Sequence, residues 1–154
     1  MEGKTKIIVA YAVTLTLSAM AFITGGLVYL CYRSRSLRMF EWADRISAEA
    51  MVERLRSFAA IHPCDSDFVL FSLPDGLWVL SYVYLMSTVW KFDLHGHFLM
   101  ISLIPLIAVI SECSQAGGFF PGTFDIKDLT AYILSYAIGT GHCIFIKRKI
   151  LNNN

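Results

Sequence analysis

The chain has 154 residues, 56% of them apolar and only 16% charged, with a formal net charge of +1 and a mean hydropathy of +0.57. A soluble domain carries about 45–50% apolar and about 25% charged residues, so the composition points away from a water-soluble domain. The near-neutral charge and the lack of a basic patch with interleaved aromatics point away from a nucleic-acid partner. The length fits one domain, 1–154.

Residues 7–32 contain no charge and are long enough to cross a hydrocarbon core of about 30 Å. The rival reading is a cleavable signal peptide, because Lys4 and Lys6 give a basic start and Ala19-Met20-Ala21 a small-residue site. Apolar character continues past Ala21 to Tyr32, longer than a signal's apolar region, which favours an uncleaved span. Gly25 and Gly26 offer close approach to another helix.

Residues 33–67 hold six arginines and six acids. Between 38 and 60 the pattern is helical. Met39, Phe40, Ala43, Ile46, Ala50, Met51, Leu55 and Phe58 share one broad face, and Arg38, Glu41, Arg45, Glu49, Glu53 and Arg56 share the other. Glu41–Arg45 and Arg45–Glu49 have i,i+4 spacing. Asp44 and Arg54 interrupt the apolar stripe. The pattern predicts one amphipathic helix, lying on the membrane or packed over the bundle, with a solvated helix as an equal alternative.

The second apolar run spans 68–90. Ser72, Pro74 and Asp75 make an internal start signal with capping-box spacing, so the span is predicted at 73–90 with 68–71 at the interface. The third span is 98–116, with Pro105 predicting a kink. Asp125 reads as the cap of a fourth helix, whose span is 129–146 and which closes on Lys147, Arg148 and Lys149. The fold class is therefore all-α: an integral membrane four-helix bundle with an amphipathic interfacial helix between spans one and two. The basic ends prefer the cytoplasmic side, opposed by the pull of Arg33, Arg35 and Arg38. Cys31, Cys64, Cys113 and Cys143 have no CxxC spacing and read as packing residues, a Cys31–Cys64 disulfide being the lesser alternative. His95-Gly96-His97 reads as a polar turn rather than a metal site, and His142 as a hydrogen-bonded packing residue.

A carboxylate in a transmembrane segment costs about 2.5–3.5 kcal/mol on insertion scales at the centre. Asp75 begins span two and Glu112 lies near the end of span three. Because chain direction alternates, both meet the same membrane face. Gln115, Asp125 and Asp128 belong to that face too, so these five residues form the candidate pocket. Lys127 is the only basic residue expected near this cluster, where it could hold a phosphate or balance charge. Paired carboxylates could share a proton, or hold a divalent cation with a lipid phosphate, or simply cap helices. Capping explains Asp75, Asp125 and Asp128 but not Glu112. No nucleophile with a base, phosphate loop or dinucleotide motif is visible, so no catalytic residue and no cofactor beyond such a cation is assigned.

Glu112-x-x-Gln115, a short Gly/Pro loop, Asp125-x-x-Asp128 and a last span with Gly139 resemble the VanZ-like family of small bacterial membrane proteins over roughly residues 73–140. Asp75 matches the aspartate at the head of that family's preceding span. Thr123 stands where the family has an arginine, Tyr132 where it has an asparagine, and Gly76, Leu77 and Trp78 follow Asp75 in place of a lysine and histidine. The resemblance implies a multi-pass protein of the bacterial cytoplasmic (inner) membrane with a role in the cell envelope, where the family is associated with glycopeptide resistance. The expected function is engagement of a lipid or lipid-linked cell-wall precursor head group at the acidic pocket. The alternative is a non-enzymatic membrane subunit or anchor binding a partner protein through helix 38–60. Proton or cation transport through Glu112 has less support, since no second carboxylate lies deep on the opposite side.

Overall fold

The computed structural model describes residues 2–151. Those residues form helices with no strand among them: α1 (Glu2–Tyr32), α2 (Arg38–Arg45), α3 (Glu49–Ile61), α4 (Leu73–Val89, preceded by a π-turn at Phe68–Ser72), α5 (Phe98–Ala116) and α6 (Ile126–Ile146). Four of these are long and apolar enough to cross a membrane: Lys4–Tyr32, Phe68–Val89, Phe98–Ala116 and Ile126–Lys149. At 1.5 Å rise per residue even the shortest, α5, reaches about 28 Å.

α4 is the central helix and packs against α1, α5 and α6. Small and hydroxylated residues set its contacts. A Cβ on Gly25 of α1 would lie 2.8 Å from Trp78 Nε1 and 3.0 Å from the Pro74 carbonyl oxygen, so glycine permits the crossing. Gly26 faces no atom within 4 Å, so only one glycine of the pair serves close approach. Gly139 of α6 admits Val83, whose Cγ1 would stand 2.8 Å from an added Cβ. Between α1 and α4, Ser18 Oγ donates to the Ser81 carbonyl at 2.8 Å. Thr14 and Thr88 hydroxyls lie 2.9 Å apart, and each also reaches a carbonyl of its own helix, Ala10 and Tyr84. Two protons serve these three contacts, so one hydroxyl donates across the interface while the other bonds back.

Three local expectations are corrected. The single helix over 38–60 is two helices, because Ser47 adopts a left-handed φ of 57° and its N–H closes a turn onto the Asp44 carbonyl. The break removes the Arg45–Glu49 spacing and turns the predicted face: Phe40, Val52 and Ala59 are buried while Ile46, Met51 and Phe58 are exposed. Arg56, expected on the polar face, donates to the carbonyls of Leu30 and Arg33 and so caps the C-terminus of α1, where a cation is favoured. Ser72 does not cap α4. It has helical φ and ψ, makes no capping hydrogen bond, and the Leu73 N–H bonds to the Phe68 carbonyl, so the helix extends back through a π-turn. Pro74 explains this in part: it has no N–H to offer the preceding turn, and such ladders relax by adding a residue.

Other expectations stand. Asp125 caps α6 by accepting from the Lys127 N–H at 2.8 Å. His142 Nδ1 lies 3.1 Å from the Tyr84 hydroxyl. The third predicted span, 98–116, is the single helix α5, with Pro105 buried inside it. The four cysteines are free thiols.

The antiparallel course gives the bundle two different ends. One carries Lys4, Lys6, Lys91, Lys147, Arg148 and Lys149 against Glu2 and Asp93; we call it the basic end. The other carries the remaining seven basic and ten acidic residues and includes α2, α3 and the candidate pocket; we call it the acidic end.

Candidate carboxylate site

Three elements deliver the acids. Asp75 sits in the first turn of α4, Glu112 is buried near the end of α5, and Asp128 lies in the first turn of α6. A carboxylate in a helix's first turn meets the positive end of the helix dipole. That explains Asp128 but not Asp75, because the helix of Asp75 continues back through the π-turn and the Leu73 N–H is already bonded to the Phe68 carbonyl.

Glu112 is held differently. Its Oε1 accepts from the backbone N–H of Asp125 at 2.6 Å, and the residue is 5% exposed. It thereby ties the end of α5 to the residue that starts α6. A charge-assisted bond to a backbone donor is about twice as strong as a neutral one. The question left by capping is thus answered in part: Glu112 also serves a helix start, but from across the loop.

Asp75, Asp128 and Glu112 lie within one another's electrostatic reach. Two residues not assigned to the pocket from sequence join them. Tyr132 is within reach of all three acids, four residues beyond Asp128 and hence on the same face of α6. Arg33, just past α1, is the cation acting on Asp75, with its guanidinium 5.1 Å from the Tyr29 ring centroid and 4.9 Å from that of Phe71. Lys127 instead points to Asp67, 3.8 Å away. Gln115 packs against Gly122 in the α5–α6 loop and makes no hydrogen bond to the acids among the described residues. The five predicted residues therefore divide: Asp75, Glu112 and Asp128 converge, Asp125 contributes its backbone N–H, and Gln115 lies aside.

Asp128 Oδ1 is buried without a hydrogen-bond partner among the described residues. A buried acceptor left unpaired costs about 1–3 kcal/mol, more when charged. Like charges at close range also oppose one another. Such a site attracts a ligand group that donates hydrogen bonds or carries positive charge. Among the described residues no group of three or more His, Cys, Asp or Glu side chains is arranged to hold a metal ion.

The fold and site define a class: an all-helical chain with four helices of membrane-crossing length and a carboxylate cluster where three of them meet. Compared with known proteins, the chain matches no family model, no curated protein and no solved structure.

Proposed function

We propose that the chain is a VanZ-like, multi-pass integral protein of the bacterial cytoplasmic membrane, whose carboxylate cluster engages the head group of a lipid or lipid-linked cell-wall precursor. The bundle is then embedded through α1, α4, α5 and α6, with the basic end in the cytoplasm and α2–α3 lying at the opposite interface. Length and apolar composition of the four helices support the embedding. The family assignment rests on Glu112-x-x-Gln115, Asp125-x-x-Asp128 and Asp75. Tyr132 replaces the family's asparagine, and its place beside the acids makes that departure part of the site.

The observation that carries the ligand reading is the unpartnered Asp128 Oδ1 beside Asp75 and Glu112. A hydroxyl or amine of a head group supplies the donor it lacks. Native mass spectrometry of protein extracted in mild detergent tests this. The wild type is expected to retain a lipid species that Asp128→Asn and Glu112→Gln lose while remaining folded. Equal retention by all three sinks the proposal. Alkaline carbonate extraction tests the spans separately, since a four-span protein stays in the membrane pellet.

A second reading has its own observation. Trp42, Ile46 and Met51 of the α2–α3 segment are 62%, 76% and 57% exposed, an apolar surface suited to a membrane partner protein. Replacing them with serine would then abolish co-purification of that partner without changing lipid retention.

A further inference from the structure

The basic end contains a cavity of about 450 Å³ between α5, α6 and the 91–97 loop, lined at its mouth by His95, Lys147 and Arg148 and below by Phe98, Tyr136 and Ile144. Phe98 and Tyr136 also line a second space of about 140 Å³. That space follows the α5–α6 seam down to Leu106, Val109, Ile133 and Tyr132, and almost none of its wall is polar. The two spaces adjoin at Phe98 and Tyr136 and together form a cleft lined by cations at its mouth and by apolar side chains at its foot. From Ile144 to Ile133 it descends about 16 Å at 1.5 Å per residue, close to one leaflet of a hydrocarbon core about 30 Å thick. Ser102 Oγ and Tyr136 Oη, 2.6 Å apart, bond α5 to α6 where the two spaces adjoin.

The charges at the mouth are not all neutralised. Lys147 Nζ lies 3.0 Å from Asp93 Oδ1. Arg148 and His95 have no ion-pair partner among the described residues. A guanidinium suits bidentate binding of a phosphate, and basic pockets between membrane helices suit acidic lipid head groups.

We propose that this cleft binds one anionic phospholipid, its phosphate at Arg148, His95 and Lys147 and one acyl chain in the α5–α6 seam. Its mouth lies at the other end of the bundle from the carboxylate cluster and is opposite in charge, while the foot of the seam ends at Tyr132, beside the acids. It rests on the reading of the four long helices as membrane spans, which carbonate extraction tests independently.

The experiment is native mass spectrometry of the full chain in detergent, titrated with phosphatidylglycerol or with phosphatidylcholine of the same acyl chains. Phosphatidylglycerol is expected to bind at least tenfold more tightly, as a single adduct. Arg148→Gln should weaken it about tenfold. Thr140 also lines the cleft, and Thr140→Phe, which fills it without touching charge, should weaken binding comparably. The double variant Lys4→Gln/Lys91→Gln removes two charges from the same end and should change it less than twofold. Equal binding of the two lipids overturns the proposal, as does equal loss in the double variant and Arg148→Gln, which means diffuse surface attraction. Full competition by soluble glycerol phosphate also overturns it, since the acyl seam would then be idle. Unchanged binding in a folded Thr140→Phe protein has the same consequence.

Discussion

At the basic end, Asp93 lies in a loop beside Lys147 and within 3.4 Å of His97 Nδ1. At the acidic end, Asp75, Glu112 and Asp128 lie within electrostatic reach of one another, and Arg33, the cation acting on Asp75, is shared with two aromatic rings. Both ends place carboxylates beside helix termini, yet they settle the charge differently. Asp93 is matched by a flexible partner at the surface, where an ion pair contributes little to stability. Of the three clustered acids, Glu112 has a backbone donor in the Asp125 N–H, while Asp128 Oδ1 has no partner among the described residues. The difference separates acids that tidy a loop from acids whose pairing is left open, and open pairing is where a ligand gains most.

The largest expected effect is at Glu112. Glu112→Ala leaves the Asp125 N–H unpaired and opens space at the α5–α6 junction, for a loss of about 1–3 kcal/mol, measurable by thermal or denaturant unfolding in detergent. Glu112→Gln keeps an acceptor and should lose less than half of that. Equal losses would mean that charge rather than the hydrogen bond holds the loop. Arg56→Ala should cost about 1–2 kcal/mol, since it uncovers two carbonyls at the end of α1 and removes packing over Phe40. Proteolysis in the 33–37 connection should report it first. Asp128→Asn should be neutral or stabilising by about 0.5–1 kcal/mol, as expected where a site keeps an uncompensated group for function. A clear destabilisation would make Asp128 a structural residue and erase the contrast between the ends.

The smallest effect concerns Asp93. Its hydrogen bond to Lys147 holds the carboxyl below the ordinary carboxylate range. A depressed folded-state value means the contribution is fully present above the unfolded value of about 3.9. It fades as pH falls through the lower, folded one. Asp93→Asn should therefore flatten the acid limb of the stability curve below about pH 4 and leave neutral pH almost untouched. A large loss at neutral pH would place Asp93 in the same category as Glu112.

Much of the architecture is legible in the sequence because apolar runs of spanning length with at most one charge have few alternatives. The Asp125 cap was equally readable, since an aspartate before an apolar run acts locally. The failures are also physical. Ser47 breaks the 38–60 helix with neither glycine nor proline to announce it, and the periodicity of the flanking residues runs straight across. Ser72 carries a capping signature that the π-turn overrides. Arg33 and Tyr132 were hidden for another reason: their roles exist only when α1, α4 and α6 are packed together. Tyr132 was visible as a departure from a family pattern, and its spacing from Asp128 was the clue to a site role. Lys127 shows the reverse error, nearness in sequence taken for nearness in space.

The hydroxyl contacts between α1 and α4 bear on how the chain is made. On the proposed membrane reading, α1 emerges long before α4 and rests in an apolar medium with no partner helix, where an orphan hydroxyl is costly. Thr14 avoids that penalty by bonding to Ala10 of its own helix, and Thr16 does the same with Ala12. When α4 arrives, Thr14 need only accept a hydrogen bond from the Thr88 hydroxyl, and no bond within α1 has to break. Ser18, whose described bonds are all to Ser81, then fixes the axial alignment, because a slide of one helical turn separates both pairs at once. Assembly can thus proceed in two stages, an autonomous first helix followed by docking, with the polar cross-links completed last.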